Sequence, residues 1–398
     1  MTTDAPSWGD WVADACDAVA SAGRWRAPRS FDARGNEGLL VTDPGAPARP
    51  VVSFASNDYL GLTTHPTVVA GARDALDRWG AGSGASRLVT GSRPVHHELE
   101  AALADWKGTD AAVLTPTGFA ANLSVLSVFG PGAVVHSDEL NHASIIDGCR
   151  LARADVRIYP HRDLDALDAA LAADRGRSIV VTDTVFSMDG DTCDLDGLVA
   201  VARRHGALVV LDEAHAVLGP EPADTAGVDV LRVGTLSKTL GSLGGFVAGP
   251  QRFVDLLVNR ARPYIFTTAP TPADAGAALA ALAVVRSAEG AALRARLGDL
   301  VARVAGAVGS SVHPSPIVPV VIGAEDEAVA TSTALLAEGL WVPAIRPPTV
   351  APGTSRLRVT LSATHTDEQV DRLVAGLAAL VPATAGAARQ HRGVGSAA

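Results

Sequence analysis

Groups able to do acid, base or nucleophilic chemistry recur in this chain directly after short apolar runs. Thr115-Pro116-Thr117-Gly118-Phe119 follows the run 111–114, Ser137-Asp138 follows 133–135, and Asp183-Thr184-Val185-Phe186-Ser187 follows 179–182. Asp212-Glu213-Ala214-His215 follows 208–211, and Thr235-Leu236-Ser237-Lys238 follows 228–233. In an open α/β sheet, ligands bind in the crevice beyond the carboxyl ends of the strands. A row of such ends carrying titratable and hydroxyl groups therefore reads as one edge built for chemistry, since plain connections would end in turn residues.

A lysine after a strand is ordinarily a solvated charge. Lys238 instead lies between an apolar strand and the glycine-rich stretch Gly241-Ser242-Leu243-Gly244-Gly245. In a dry cleft desolvation disfavours the ammonium form, and the free amine attacks aldehydes. Hydroxyls from Thr235 and Ser237 suit a phosphate. So does Gly118-Phe119, where N–H groups at a helix N-terminus point toward an anion. Asp212 closes the apolar run 207–211 and is either a strand-end cap or the partner of a buried cation. A protonated pyridine nitrogen is such a cation, and keeping it protonated makes the ring an electron sink. His215, and Ser187 from the adjacent strand end, are within reach of the neighbouring ring oxygen. His142, in Asp138-Glu139-Leu140-Asn141-His142-Ala143-Ser144, is a helix cap, a surface residue, or an imidazole laid flat on that ring.

The elements that must position these groups follow from periodicity. From 51 to 285 apolar runs (with 156–159 and 245–248 added to those above) alternate with helical patterns at 95–106, 143–153, 163–173 and 195–205. That rhythm predicts βαβ units around a mostly parallel sheet. Residues 286–382 have another rhythm, with two helical stretches, a strand at 317–322 and the alternating Arg356-Leu357-Arg358-Val359-Thr360-Leu361, and read as a smaller α+β domain. Residues 1–50 read as an arm over the main domain, with one amphipathic helix at 8–22, and 383–398 as a disordered tail.

Composition narrows the class. With 33 Lys+Arg against 43 Asp+Glu, the net charge of −10 argues against nucleic acid or a basic membrane-binding surface. The first residues, Met1-Thr2-Thr3-Asp4-Ala5, hold no basic or apolar signal region, and the apolar stretch 277–285 is too short for a bilayer. Cys16, Cys149 and Cys193 form no C-x-x-C pair, which speaks for reduced thiols in the cytoplasm and for no metal site.

Six segments together resemble the α-oxoamine synthases, a branch of the fold-type-I pyridoxal-phosphate enzymes. They are Ser53-Phe54-Ala55-Ser56-Asn57-Asp58-Tyr59-Leu60-Gly61-Leu62, Gly80-Ala81-Gly82-Ser83-Gly84-Ala85-Ser86-Arg87, Asn141-His142-Ala143-Ser144, Val185-Phe186-Ser187-Met188-Asp189-Gly190, Asp212-Glu213-Ala214-His215 and Thr235-Leu236-Ser237-Lys238. The resemblance implies a pyridoxal 5′-phosphate acyltransferase with a large domain and a small C-terminal one. By the same resemblance Lys238 joins the cofactor aldehyde, Gly118 and Phe119 offer backbone donors, and His142 stacks on the ring. Ser187 and His215 hold the ring oxygen, Asp212 the ring nitrogen and Thr235 the phosphate. Asn57 and Arg356 would hold the amino-acid carboxylate, Arg24 the substrate from the arm (with Arg26 and Arg29 as rivals), and Thr349 the acyl chain. Thr267 and Thr268 would reach the phosphate of a partner subunit in a homodimer.

The stretch Ile345-Arg346-Pro347-Pro348-Thr349-Val350-Ala351-Pro352-Gly353-Thr354-Ser355-Arg356-Leu357-Arg358 is similar to that of the family's biotin-pathway members, which condense L-alanine with a pimeloyl thioester carried on coenzyme A or an acyl carrier protein. Family members acting on glycine or serine with other acyl chains are the nearest alternatives. Two departures are an Ala216-Val217-Leu218-Gly219-Pro220 loop where the family has an earlier glycine, and an insertion-like stretch at 43–48. Asp212-Glu213-Ala214-His215 also spells a helicase box, but no upstream G-x-x-x-x-G-K-[ST] loop accompanies it. Gly80-x-Gly82-x-Gly84 lacks the spacing and the preceding strand of a dinucleotide site.

Overall fold

The computed structural model describes residues 7–42 and 45–381. The tail at 383–398, the first residues and part of the 43–48 stretch lie outside them.

Among the described residues, fourteen strands form three sheets. β1 (Ser30–Ala33), β2 (Glu37–Val41) and β3 (Arg49–Ser53) run antiparallel. The large sheet takes β4 (Ala111–Thr115), β5 (Val134–Asp138), β6 (Asp155–Tyr159), β7 (Ser178–Asp183), β8 (Leu208–Asp212), β9 (Val230–Thr235) and β10 (Gly245–Gly249). Its order is β4-β10-β9-β8-β7-β5-β6. Every apolar run read as a strand is one. β5 to β9 are mutually parallel, and β10 alone runs against both its neighbours. β7, with Ile179, Val180 and Val181, is buried at all six positions because helices cover both faces.

Helix ends are fixed by local chemistry. Asp194 caps Leu195–His205 by accepting from the Gly197 N–H, and Gly206 ends it at φ 63° after the basic Arg203, Arg204 and His205. Thr117 caps Gly118–Phe129 by accepting from the Ala120 N–H.

β11 (Ile317–Gly323), β13 (Ala344–Ile345) and β14 (Ser355–Thr360) form the C-terminal sheet, and β12 (Leu340–Trp341) pairs in parallel with β3. The arm is thereby corrected. β1–β3 do not merely lie over the main domain; they share a sheet with the C-terminal region, where Leu40, Val51 and Val52 are buried. The helix Trp8–Ser21 buries none of its residues. Among the described residues no single helix is long and apolar enough to cross a membrane.

Candidate active site

Because β10 is reversed, β4 points the same way as β5–β9, and their carboxyl ends share one edge. Gly245 begins β10 hard against the start of the helix Gly118–Phe129, and a Cβ there would stand 2.4 Å from the Thr117 carbonyl oxygen. At this edge lies a cleft of about 170 Å³, lined by Gly118, Phe119, Asn122, His142, Ser144, Asp183, Ser187, Asp212, His215, Thr235, Ser237 and Lys238 among others. All eight residues expected to touch the cofactor are there.

Lys238 Nζ stands 2.9 Å from His215 Nε2 and has no carboxylate within ion-pair distance among the described residues. Burial pushes its pKa below the usual lysine range, against the pull of Asp212 and Asp183. His215 is buried and held well below its ordinary value, first by burial and then by the charges of Lys238, Arg358 and His142. Asp212 is buried; its Oδ2 accepts from Asn122 Nδ2 at 2.6 Å and its Oδ1 from the Ala214 N–H at 2.9 Å. His142 is the N-cap of Ala143–Ala152, its backbone N–H donating to Asp183 at 2.9 Å, and Phe119 meets its ring edge-on at 6.4 Å. Thr235 and Ser237 hydroxyls lie 2.7 Å apart beside Gly118.

Glu213, between two cleft residues, turns away. It forms a buried ion pair with Lys107 at 2.7 Å and with Arg232 at 2.5 Å.

Three expected substrate residues are placed otherwise. Arg24 is half-exposed and pairs with Glu325 at 3.3 Å, while Arg346 donates to the Gly23 carbonyl at 3.1 Å. Thr349 is exposed in the loop that follows Arg346. The arm and that loop thus meet, outside the cleft. Arg356 is not among the cleft lining; it pairs with Asp189 and with Thr354. Two residues on along β14, Arg358 donates to the Ser187 carbonyl, and to Asn57 Oδ1 at 3.4 Å. Thr267 and Thr268 follow the short helix Arg262–Ile265, away from the cleft lining.

Residues to which the sequence reading gave no role complete the site. Asp183 pairs in register with Asp212, and its pKa is raised well above the usual range by burial and by Asp212. Asn122 sits one helical turn after Gly118, an amide on a largely apolar helix, which would have marked it. Tyr59 and Arg358 carry no comparable mark.

The loop bearing Ser187 is clamped by His161, which bonds Asp138 at 2.9 Å and Asp191 at 2.8 Å. Burial opposes the charge on His161, yet the two carboxylates raise its pKa to about 9. A raised pKa stabilises the fold fully below the unfolded value, about 6.5, and that contribution is lost as pH climbs through about 9. Thermal melts from pH 6 to 10 are expected to show a steeper fall for the wild type than for His161→Gln; parallel curves would count against the clamp.

The aminotransferase class I and II family model matches residues 49–377. An 8-amino-7-oxononanoate synthase of Anaeromyxobacter dehalogenans is 47% identical over 94% of this chain and 96% of its own. Serine palmitoyltransferase from S. paucimobilis, solved with PLP–myriocin bound, matches with a TM-score of 0.84 at 29% identity, covering 93% and 96% of the two chains. The 8-amino-7-oxononanoate synthase structure from Francisella tularensis matches at TM-score 0.70 and 25% identity, covering 83% and 97%.

Proposed function

The chain belongs to the aminotransferase class I and II family, in its α-oxoamine synthase branch, and on that premise we propose that it condenses L-alanine with a pimeloyl thioester, releasing carbon dioxide and the thiol, as a step toward biotin. It is a pyridoxal 5′-phosphate enzyme. The observation that carries the chemistry is Lys238, a buried amine whose near partner is an imidazole and not a carboxylate, and whose pKa burial lowers toward the free-amine form that attacks an aldehyde.

The residues present fit the cofactor. Gly118 leaves the helix N-terminus open, since a Cβ there would sit 3.1 Å from Thr235 Cβ, and the N–H groups with the Thr235 and Ser237 hydroxyls form an anion cradle. Asp212 would hold the protonated ring nitrogen, with Asp183 beside it and Asn122 fixing its carboxylate. His142 would cover one ring face and His215 would hold the ring oxygen. Bound through its aldehyde, the cofactor supplies an electron-poor ring that takes up the charge left on the substrate Cα. Lys238, at the cleft beside His215, would take the Cα proton and return one after carbon dioxide leaves. Asn57 and Arg358 would orient the amino-acid carboxylate, which sets the bond to be broken relative to the ring. Arg24 and Thr349, on the outer path, would meet the acyl chain.

Structural likeness is greater to serine palmitoyltransferase, sequence likeness to the 8-amino-7-oxononanoate synthases. Sequence decides, because a shared fold is common to the whole branch while pocket side chains set the substrate. The acyl carrier is coenzyme A or an acyl carrier protein, and the protein works as a cytoplasmic homodimer in this reading. Incubation with pimeloyl-CoA and alanine, glycine or serine, following thiol release, is expected to give turnover with alanine. Turnover confined to glycine with acetyl-CoA, or to serine with palmitoyl-CoA, would overturn it.

A further inference from the structure

Tyr59 ties the two halves of the site together. Its loop is bonded to the C-terminal region, the Thr360 N–H donating to the Phe54 carbonyl at 2.9 Å and the Ala363 N–H to the Tyr59 carbonyl at 2.8 Å. The side chain crosses to the large domain, where the hydroxyl lies 2.5 Å from His215 Nδ1 and 3.1 Å from Asn57 Oδ1. Tyr59 is 0% exposed, so the hydroxyl has no bulk water to turn to.

A hydroxyl carries one proton, and the Asn57 amide oxygen can only accept, so Tyr59 either donates to Asn57 at 3.1 Å or gives its proton to His215 and leaves that contact without a hydrogen. Asn57 Oδ1 already receives two N–H groups of Arg358, each at 3.4 Å, whereas His215 Nδ1 is much the closer acceptor. With the Tyr59 proton on that bond, Nδ1 is the lone-pair nitrogen and the imidazole hydrogen must sit on Nε2. That N–H points at the cleft, toward Lys238 Nζ at 2.9 Å. The reverse arrangement would leave Tyr59 accepting and Lys238 donating, and would spend the short contact on the weaker, neutral ring donor.

We propose that Tyr59 is a positioning residue for the proposed reaction, its hydroxyl locking His215 in the Nε2–H form so that the imidazole donates into the cleft. Without the cofactor the imidazole N–H faces Lys238; with it, and resting on the reading above, the acceptor is the ring oxygen. No proton moves between the two states. Burial pushes the Tyr59 hydroxyl up to about 12 and keeps His215 uncharged, in keeping with a fixed tautomer.

The tautomer is directly measurable. In ¹⁵N-histidine-labelled full-length protein, with His215 assigned by the resonances lost in His215→Gln, the expected pattern is pyrrole-type Nε2 and pyridine-type Nδ1, both before and after PLP is added. Tyr59→Phe keeps the ring and removes only the hydroxyl. It is expected to move both His215 shifts toward averaged values, and to lower kcat about 10- to 100-fold, the range for outer partners that orient a histidine, with little change in KM. A protonated Nδ1 in the wild type, or unchanged His215 shifts in Tyr59→Phe, overturns the proposal. The wild-type spectrum decides alone if the variant does not fold. Failure of the protein to turn yellow with PLP would sink the cofactor reading and leave the cofactor-free spectrum to judge Tyr59.

Discussion

Lys238→Ala is expected to lower thiol release by at least about 10³-fold, within the range that positioned acid–base groups contribute, and to abolish the adduct fixed by borohydride. The test is unusually clean because the sequence contains only two lysines, Lys107 and Lys238. Lys107 is committed elsewhere, 2.7 Å from Glu213 in a buried ion pair beside Arg232. Intact mass after borohydride should therefore show one added cofactor in the wild type and none in Lys238→Ala. Lys107→Ala should keep the adduct if it folds, although it strands Glu213 with one cation and is expected to cost stability. An adduct surviving in Lys238→Ala would remove the basis for the proposed chemistry. The fold should tolerate Lys238→Ala, since the amine it removes makes no ion pair among the described residues and its nearest partner is the His215 imidazole.

Why this lysine was legible and other residues were not is a matter of distance along the chain. Strands buried on both faces write themselves as apolar runs, and the residues just beyond them mark the edge where a site forms. Lys238, Asp212, His215, Ser187, Thr235 and Gly118 all follow that rule, and the cleft gathers them. Asp183 follows it too, but its meaning comes from facing Asp212 across two paired strands, which no single run displays. Tyr59 reaches His215 over 156 residues, and Asn57 meets Arg358 over 301, through pairings set by the C-terminal sheet. The strands of the arm were hidden for a related reason. Their sheet partner β12 is two residues long and lies nearly 290 residues downstream. Short, proline-punctuated segments of that kind carry little periodicity of their own.

The two arginines of β14 show the limit most sharply, and separate the two readings of the carboxylate site. Arg356 and Arg358 are two apart, so they share a face of the strand, and alternation cannot tell them apart. Their partners do: Arg356 is spent on Asp189, while Arg358 reaches Asn57 and the carbonyl of Ser187, which lines the cleft. Asn57 was expected to hold the carboxylate, and it is Arg358 that stands with it. Arg358→Ala is expected to reduce kcat/KM for the amino acid by about 10- to 150-fold, the worth of roughly 1.5–3 kcal/mol for a hydrogen bond to a charged group. Arg358→Lys should recover little, because a point charge does not reproduce a planar two-pronged donor. Arg356→Ala should instead loosen the 185–192 loop by freeing Asp189, and appear as a lower melting temperature with a smaller kinetic change. Saturation curves in alanine for the three variants, run beside thermal melts, distinguish these outcomes. A kinetic loss larger for Arg356→Ala than for Arg358→Ala, with its melt unchanged, would return the clamp to Arg356. The geometry argues the other way, since a guanidinium already paired with a carboxylate has to break that pair before it can take another.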